Sequence, residues 1–288
     1  MADPLAHLHP AARELAGLGN EQRVRALQRD RWIDYPRATE ALQRLERLLQ
    51  MPRRERMPCL VLHGQSNIGK TLIIAKFLRD HPPQFDNTRD AERRDIISLQ
   101  MPATPDQRRF YSALLFALDA PQSTSATLAS LERVARDLLR RFVPRMLIVD
   151  EVHHLLAGSA LEQRAALNLL KYLANNLKIS IVAVGTADAP LAFQTDAQMR
   201  SRFTPFEIPC WTESEDFRRL LRAFEEVLPL RKGSDLAERP VVQFLIAASG
   251  GLLGEISRIL TEAAEHAIHD GSEQISLELL ERAAYEQA

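Results

Sequence analysis

Apolar residues in the middle of this chain form short continuous runs that alternate with longer stretches of helical pattern. Such runs are typical of strands buried on both faces of a parallel sheet, and the stretches between them are typical of connecting helices. The predicted strands are Cys59–His63, Ile96–Gln100, Met146–Asp150, Ile179–Gly185 and a short one near Phe206–Ile208. The pattern therefore predicts an α/β domain with a parallel sheet flanked by helices.

After residue 211 the pattern changes to helices alone. Predicted helices cover Phe217–Leu228, Pro240–Ser249 and Glu255–His269, and a fourth begins at Ser276. The segment Thr212–Glu215 has the pattern of a capping box. Because residues 1–58 are also helical and polar, we expect three parts: an N-terminal helical extension (1–58), the α/β domain (59–211) and a small helical lid domain (212–288).

Composition narrows the function classes only slightly. Of the 288 residues, 45% are hydrophobic and 26% are charged, and the net charge of −1 gives no global basic field that attracts nucleic acid. Two cysteines provide neither a disulfide framework nor a metal cluster. Since no apolar run has the length of a bilayer span and the N-terminus lacks a signal-peptide pattern, we expect a cytoplasmic protein with no membrane partner.

A phosphate-binding loop follows the first predicted strand. Residues Gly64–Thr71 read G-Q-S-N-I-G-K-T, and the helix-forming stretch Leu72–Leu78 comes next. Backbone N–H groups of such a loop surround nucleotide phosphates, Lys70 reaches the β- and γ-phosphates, and Thr71 holds Mg²⁺. The expected nucleotide ligands in the loop are Gly64, Gln65, Ser66, Asn67, Ile68, Gly69, Lys70, Thr71 and Leu72.

Two carboxylates end the third predicted strand. We expect Asp150 to contact Mg²⁺ and to complete the nucleotide site, and Glu151 to polarise the attacking water. A solvated acidic pair is the simpler alternative, but the complete phosphate loop upstream favours an ATPase. His153 and His154 follow directly. A metal-binding pair is one interpretation, but because no cysteine or further histidine lies nearby in the sequence, we expect the surface of a helix start.

Three more residues are candidates for catalysis, beside Lys70 and Glu151. Thr186 follows the fourth strand, where it either senses the γ-phosphate or caps the next helix. Arg200 and Arg202 precede the last short strand. We expect at least one of them to reach a neighbouring subunit's nucleotide and to stabilise charge there, with solvated arginines as the alternative. Arg202 is the preferred candidate because Arg202-Phe203 immediately precedes the strand.

Together these features resemble the AAA+ ATPases, and in detail the TniB/TnsC-like transposition regulators. The most specific similarity lies in the string before the core and in Ser66-Asn67 within the loop. The segments that carry it are Arg31–Ala38, Arg56–Pro58, His63–Thr71, Asp150–His153 and Ser249–Ile256.

The resemblance implies a function as well as a fold. Such proteins bind ATP with Mg²⁺ and assemble as homo-oligomeric rings or helical filaments on double-stranded DNA. They link a target-selecting protein of the TniQ type to the transposase, and hydrolysis controls disassembly. One departure concerns the lid: many AAA+ lids carry an arginine just after the Gly-Gly turn, whereas this chain has Leu252–Glu255 there. Either Arg258, one turn later, substitutes for it or the lid lacks this sensor.

In a ring of this kind, DNA lies in the central pore. The expected DNA contacts are Arg108 and Arg109, as charges, and Thr124, as a hydroxyl donor to phosphate. Residues 123–125 also have the pattern of a turn and a helix cap. Two other classes share the phosphate loop: a remodelling AAA+ ATPase that does not act in transposition and, less consistent with the late arginines and the helical lid, a P-loop kinase.

Overall fold

The computed structural model describes residues 5–86, 91–123, 125–194 and 197–285. Contacts divide the chain into two compact units. The α/β unit comprises Arg37–Ser66 and Lys70–Ile208, and the helical unit comprises Met1–Pro36, Asn67–Gly69 and Pro209–Ala288.

The secondary structure of the described residues alternates as the apolar pattern predicts. The strands are β1 (Cys59–His63), β2 (Gln84–Asp86), β3 (Ala91–Arg93), β4 (Ile96–Gln100), β5 (Met146–Asp150), β6 (Ser180–Gly185) and β7 (Phe203–Glu207). The helices of the α/β unit are α3 (Pro36–Gln50), α4 (Lys70–Asp80), α5 (Gln107–Ala117), α6 (Leu128–Phe142), α7 (Ala160–Leu177), α8 (Ala189–Gln194) and α9 (Ala197–Arg200). A 3₁₀ helix covers Val152–Ala157. The helical unit contains α1 (Pro10–Ala16), α2 (Asn20–Leu27), α10 (Glu215–Val227), α11 (Arg239–Ser249), α12 (Leu253–His269) and α13 (Leu277–Tyr285).

Five parallel strands form the main sheet, in the order β4-β5-β6-β1-β7. The predicted fold class is therefore confirmed. The middle strands are buried on both faces: Ile148 and Val182, which pair across β5 and β6, are both fully buried. Helices pack on the sheet through apolar side chains such as Leu114 on α5 and Leu170 on α7.

The short last strand overlaps the predicted segment but starts earlier. It begins at Phe203, three residues before the predicted segment, and pairs with β1 at the sheet edge. Phe203 and Phe206 are buried whereas Thr204 and Pro205 are exposed. A strand that buries only part of its length lacks a continuous apolar run, and proline is tolerated at an edge. The antiparallel pair β2–β3 was not predicted.

All four predicted C-terminal helices begin within two residues of the expected position. The expected capping box at Thr212 is wrong, because the cap of α10 is Ser214, whose Oγ accepts a hydrogen bond from the N–H of Phe217 at 3.2 Å. Phe217 is the first buried side chain of α10, so the cap lies where the buried stripe begins. Gly250, with φ of 61°, ends α11 in the left-handed conformation that glycine favours.

The first helices of the chain belong to the helical unit. The fully buried Arg23 on α2 donates to both carboxylate oxygens of Glu273 and to the carbonyl of Pro229. These contacts join the beginning of the chain to its last eighty residues, while α3 lies almost wholly in the α/β unit. The division at residues 58 and 211 stays a prediction about domains.

Candidate membrane spans were sought among the described helices. No single one of them is long and apolar enough to cross a membrane. Within the described part of the chain, α11 and α12 together reach the required length and composition, as a pair bent by 119°.

Candidate nucleotide-binding and hydrolysis site

The sheet order brings three distant motifs to one edge. β6 lies between β5 and β1, and all three strands are parallel. Their carboxyl ends therefore meet at the same edge, where α/β sheets usually bind ligands. The phosphate loop follows β1, Asp150 ends β5, and Thr186 follows β6.

The phosphate loop has the backbone conformation that its sequence requires. Residues 64–69 form a turn, and α4 begins at Lys70. Gly69 has φ of 97° and Asn67 has φ of 62°, both in the left-handed region that glycine and asparagine tolerate best. The loop is thus placed at the N-terminus of an 11-residue helix, whose dipole favours anions.

Lys70 is folded back on the loop. Its Nζ donates to the carbonyls of Gly64 at 3.0 Å and Gln65 at 2.7 Å. Burial lowers the pKa of Lys70, and the carboxylates of Glu151 and Asp150 oppose that shift. The lysine therefore lies within electrostatic reach of both residues that end β5.

The other predicted loop ligands differ in exposure. Gln65, Ser66, Thr71 and Leu72 are exposed, whereas the side chain of Ile68 is buried. Ile68 can offer a nucleotide only its backbone. The hydroxyl of Thr71 has no hydrogen-bond partner within the part of the chain that the structure describes, so it is available to a ligand.

Asp150 and Glu151 have different environments. Burial raises the pKa of Asp150, and its Oδ1 accepts the N–H of Glu151 at 2.8 Å. Glu151 adopts a left-handed conformation with φ of 54°. For a residue with a long side chain this costs of order 1–3 kcal/mol, a strain that proteins usually keep at functional sites.

The two histidines after Glu151 lie at the start of the 3₁₀ helix and are half-buried. Nδ1 of His153 is 3.1 Å from Oε2 of Glu151, and the His153 and His154 rings are 4.7 Å apart. Nδ1 of His154 hydrogen-bonds to the carbonyl of Met101 at 3.0 Å. No cysteine or further histidine accompanies this pair in the sequence, but the turn brings the Glu151 carboxylate close to both rings.

Thr186 is half-buried directly after β6. Its carbonyl accepts the N–H of Ala189 at 3.0 Å, so its backbone serves the start of α8. The threonine hydroxyl makes no hydrogen bond to any described residue. The backbone of Thr186 thus contributes to the start of α8, as the capping alternative expects. Its hydroxyl remains available to a ligand at this edge of the sheet.

The two candidate arginines differ in their contacts and exposure. Arg202 is half-buried, and its Nη1 donates to Oδ1 of Asn175 on α7 at 2.6 Å. Arg200 ends α9 and is exposed, with no hydrogen bond or ion pair to the described residues. The sequence favoured Arg202, but its bond to Asn175 makes the exposed Arg200 the one of the two that can extend away from its own chain.

Arg108 and Arg109 lie in the first turn of α5 and are exposed. Asp106 caps this helix and accepts their backbone N–H groups at 2.6 Å and 3.2 Å. The guanidinium of Arg109 also donates to the hydroxyl of Thr104 at 2.6 Å. The two side chains therefore stand at a helix start whose backbone donors are already occupied.

The third expected DNA contact, Thr124, lies outside the described residues. Next to it, the hydroxyls of Ser123 and Ser125 are 2.9 Å apart. The helix cap considered for residues 123–125 is wrong, because Thr127 caps α6 by accepting the N–H of Ser130 at 3.2 Å.

One contact of the loop was not anticipated from the sequence. Within the helical unit, the N–H of Gly254 donates to the carbonyl of Asn67, and Nδ2 of Asn67 donates to Oε1 of Glu255, both at 2.9 Å. A Cβ at position 254 would lie 1.9 Å from Oδ1 of Asn67. The only local signal was a glycine followed by a glutamate at a helix start.

Arg258, the possible substitute for a lid arginine, forms its hydrogen bonds within the helical unit. Its guanidinium donates to Glu255 at 2.9 Å, to Glu262 at 2.8 Å and to the carbonyl of Ala283 at 3.1 Å. A role as a phosphate sensor would require these bonds to break.

The sheet order, with the phosphate loop at its edge, is that of the AAA+ P-loop fold. Three solved structures share this fold with 17% sequence identity each: Aeropyrum pernix ORC2 in ADPNP and ADP complexes, Aeropyrum pernix ORC1 in complex with DNA, and Drosophila ORC bound to DNA. Their TM-scores are 0.60, 0.63 and 0.59, and the alignments cover 91%, 92% and 94% of this chain and 71%, 69% and 67% of theirs.

A more specific assignment comes from the sequence family. The family model described as "Bacterial TniB protein" matches residues 23–213, and the chain belongs to this family. Comparison with curated proteins gave no match.

Proposed function

We propose that this protein is an ATPase that assembles on duplex DNA and regulates transposition, with ATP hydrolysis controlling disassembly. One observation carries the ATPase part: the sheet order brings the phosphate loop, Asp150, Glu151 and Thr186 to one edge, with Lys70 under the influence of both carboxylates. The DNA and transposition parts rest on membership of the TniB family. They are supported by two fold neighbours, Aeropyrum pernix ORC1 and Drosophila ORC, which were solved bound to DNA.

Nucleotide binding is assigned to the loop and Lys70. Backbone N–H groups of the loop bind the phosphates, and the lysine exchanges its loop carbonyls for phosphate oxygens. Thr71 and Asp150 fit a Mg²⁺ ion, because the threonine hydroxyl and the second carboxylate oxygen of Asp150 have no partner among the described residues. Bound there, Mg²⁺ would offset the negative charge of the phosphates.

Hydrolysis is assigned to Glu151 and Thr186. The Glu151 carboxylate orients a water molecule and accepts its proton, and the Thr186 hydroxyl hydrogen-bonds to the terminal phosphate. Both tasks require these side chains to face the phosphate loop, and the neighbouring positions of β5, β6 and β1 support this.

The assignment of Glu151 is tested with Glu151→Gln, which keeps the shape and removes the base. We expect ATP affinity within about twofold of wild type and turnover reduced at least about 100-fold, the usual contribution of a general base. Lys70→Ala is the comparison and should lose ATP binding itself. If the Glu151→Gln variant released phosphate at the same rate as the wild type, Glu151 would not be the base.

We assign the arginine that acts on a neighbouring subunit's nucleotide to Arg200. Arg200→Ala should reduce turnover of the assembled protein by about 1,000-fold or more, as loss of such an arginine does. Arg202→Ala is the matched control, since Arg202 already bonds to Asn175.

A mixing experiment shows whether the site is shared. Glu151→Gln and Arg200→Ala subunits are each inactive alone, but mixed assemblies contain some sites with both groups intact. Turnover should therefore reappear on mixing. Mixtures as inactive as the separate variants, or normal turnover by Arg200→Ala, would contradict the assignment.

DNA binding is assigned in part to Arg108 and Arg109. Because phosphate contacts carry no base information, binding should tolerate many sequences and weaken with salt. Log affinity falls as log salt rises, with a negative slope. Replacing both arginines with alanine should make this slope shallower by about 1.8, or about 0.9 for each lost contact. The exposed pair Arg140 and Arg141 on α6 provides a control double variant. An unchanged slope for the first variant would remove this assignment.

The remaining partners follow from the family assignment. We propose a homo-oligomer, a ring or a helical filament, that connects a target-selecting protein of the TniQ type to the transposase. Transposition activity in a reconstituted reaction should then require both this chain and ATP. A reaction that proceeds equally without the chain would contradict this role.

A further inference from the structure

Glu151, His153 and His154 form a compact cluster at the start of the 3₁₀ helix. Each residue offers one metal-ligand atom, and the three atoms lie within 4.8 Å of one another. All three side chains are half-buried, so the cluster is sheltered yet accessible. Among the described residues, no other group of three acidic, histidine or cysteine side chains comes this close together.

The hydrogen bond of His154 determines which nitrogen is available. Its Nδ1 faces the carbonyl of Met101 at 3.0 Å, and a carbonyl can only accept a hydrogen bond. Nδ1 therefore carries the proton, and Nε2 of the neutral ring keeps a free lone pair. A backbone carbonyl that holds the far nitrogen in this way is the usual support for a metal-binding histidine.

His153 and Glu151 approach each other without forming a hydrogen bond. Nδ1 of His153 is buried 3.1 Å from Oε2 of Glu151, yet it has no hydrogen-bond partner in the described chain. The ring nitrogen is near the oxygen but is not directed at it. A metal ion shared by two ligand atoms lies off the line that joins them, so this arrangement suits chelation better than a hydrogen bond.

We propose that Glu151, His153 and His154 bind a transition-metal ion such as Zn²⁺. One carboxylate oxygen and two imidazole nitrogens supply three ligands, and the fourth position of a tetrahedral site stays open to water. Imidazole favours Zn²⁺ and related ions over Mg²⁺, which takes oxygen ligands. A tetrahedral Zn²⁺ keeps its ligand atoms about 3.4 Å apart, so small rotations of these side chains complete the site.

The consequence for activity rests on the proposed function. A bound Zn²⁺ takes up the Glu151 carboxylate, which can then no longer accept a proton from water. The phosphate loop is not among the ligands, so nucleotide binding continues while turnover stops. Zn²⁺ would thus act as an inhibitor that holds the protein in its ATP-bound form.

Metal binding is tested directly on the nucleotide-free protein. Zn²⁺ affinity is measured by competition with a chromogenic chelator, and Co²⁺ is followed by its visible absorption. The variants are His153→Gln and His154→Gln, in which glutamine at 154 can still donate to Met101. His81→Gln is the matched control, because His81 also faces a carboxylate, Glu46 at 2.9 Å, but lacks a third ligand among the described residues.

The expected result is one Zn²⁺ per chain for the wild type and for His81→Gln. Affinity should fall at least about tenfold in both cluster variants, since loss of even a supporting group costs this much. Failure of the wild type to bind stoichiometrically, or equal affinity in the cluster variants, would overturn the proposal.

A second measurement separates this proposal from the proposed function. Zn²⁺ that fills the site should stop ATP turnover by the wild type and by His81→Gln, a chelator should restore it, and turnover by His154→Gln should resist. Stoichiometric binding without inhibition overturns the inhibitory role. A wild type that hydrolyses no ATP before Zn²⁺ is added refutes the proposed function and leaves the binding result intact.

Discussion

The contact between the phosphate loop and α12 depends on a single glycine. We expect Gly254→Ala to destabilise the helical unit even though alanine favours helices. A Cβ at position 254 would lie 1.9 Å, 2.4 Å and 2.7 Å from three atoms of the Asn67 amide. Such separations are impossible, so the amide has to rotate away from Glu255.

The magnitude follows from two opposing contributions. Displacing Asn67 breaks its 2.9 Å hydrogen bond to the Glu255 carboxylate. A bond to a charged group stabilises by about 1.5–3 kcal/mol, and the exposed position favours the lower end. Replacing a helical glycine with alanine returns at most about 1 kcal/mol. The lower end of the first range less this gain leaves a net loss of at least about 0.5 kcal/mol.

A second substitution reverses the sign. Asn67→Gly removes the amide, and glycine tolerates the φ of 62° at that position. In this background the three clashing amide atoms are absent, and Gly254→Ala breaks no bond to Glu255. It should therefore stabilise the protein by up to about 1 kcal/mol through helix propensity.

Urea unfolding of the wild type, of the two single variants and of the double variant measures the change in unfolding free energy that Gly254→Ala causes in each background. Both tryptophans, Trp32 and Trp211, belong to the helical unit, so their fluorescence reports on the unit that contains the contact. A sign change between the two backgrounds supports the reasoning. The same effect of Gly254→Ala in both backgrounds would show that Asn67 and Gly254 are not coupled.

Two further expectations concern a pair of cysteines and a pair of glycines. Cys59 is 2% exposed, and burial raises its thiol pKa to about 11. Iodoacetamide should therefore modify only Cys210 in the native chain and both cysteines after unfolding. Mass spectrometry measures the labelling, and modification of Cys59 in the native chain would contradict this. Gly250 and Gly251 both have positive φ, a conformation that costs alanine about 1 kcal/mol at either position. The two positions differ in space: a Cβ at 251 would lie 2.3 Å from the carbonyl oxygen of Trp211, whereas a Cβ at 250 would have no atom within 4 Å. Gly251→Ala should therefore lower the unfolding free energy by at least about 1 kcal/mol more than Gly250→Ala, and equal losses would refute this.

Buried strands were the predictable part of the fold. β1, β4 and β5 have the predicted ends because each is a short apolar run in a parallel sheet. β7 was predicted to start too late because its buried phenylalanines are separated by exposed Thr204 and Pro205. Local pattern thus located the half-buried edge strand β4 as well as the buried strands β1 and β5, but it missed the start of β7, where exposed residues separate the buried ones.

The local motifs of the candidate site could be found from the sequence, but its long-range contacts could not. A phosphate loop after a strand has a recognisable pattern, and the Asp150-Glu151 pair ends a strand in the same way. By contrast, the bond between Asn67 and Glu255 joins residues 188 positions apart. Similarly, only packing against α7 shows that Arg202 is held by Asn175 while Arg200 is not.

The central claim is that ATP drives assembly of this protein on duplex DNA and that hydrolysis reverses it. Electron microscopy of the wild type and of Glu151→Gln, each with duplex DNA and ATP, tests the claim most directly. We expect assemblies on DNA that disappear from the wild-type sample as ATP is consumed and persist in the Glu151→Gln sample. Lys70→Ala, as the control, should form none. DNA without assemblies in either ATP sample, or assemblies of equal number with and without ATP, would contradict the claim.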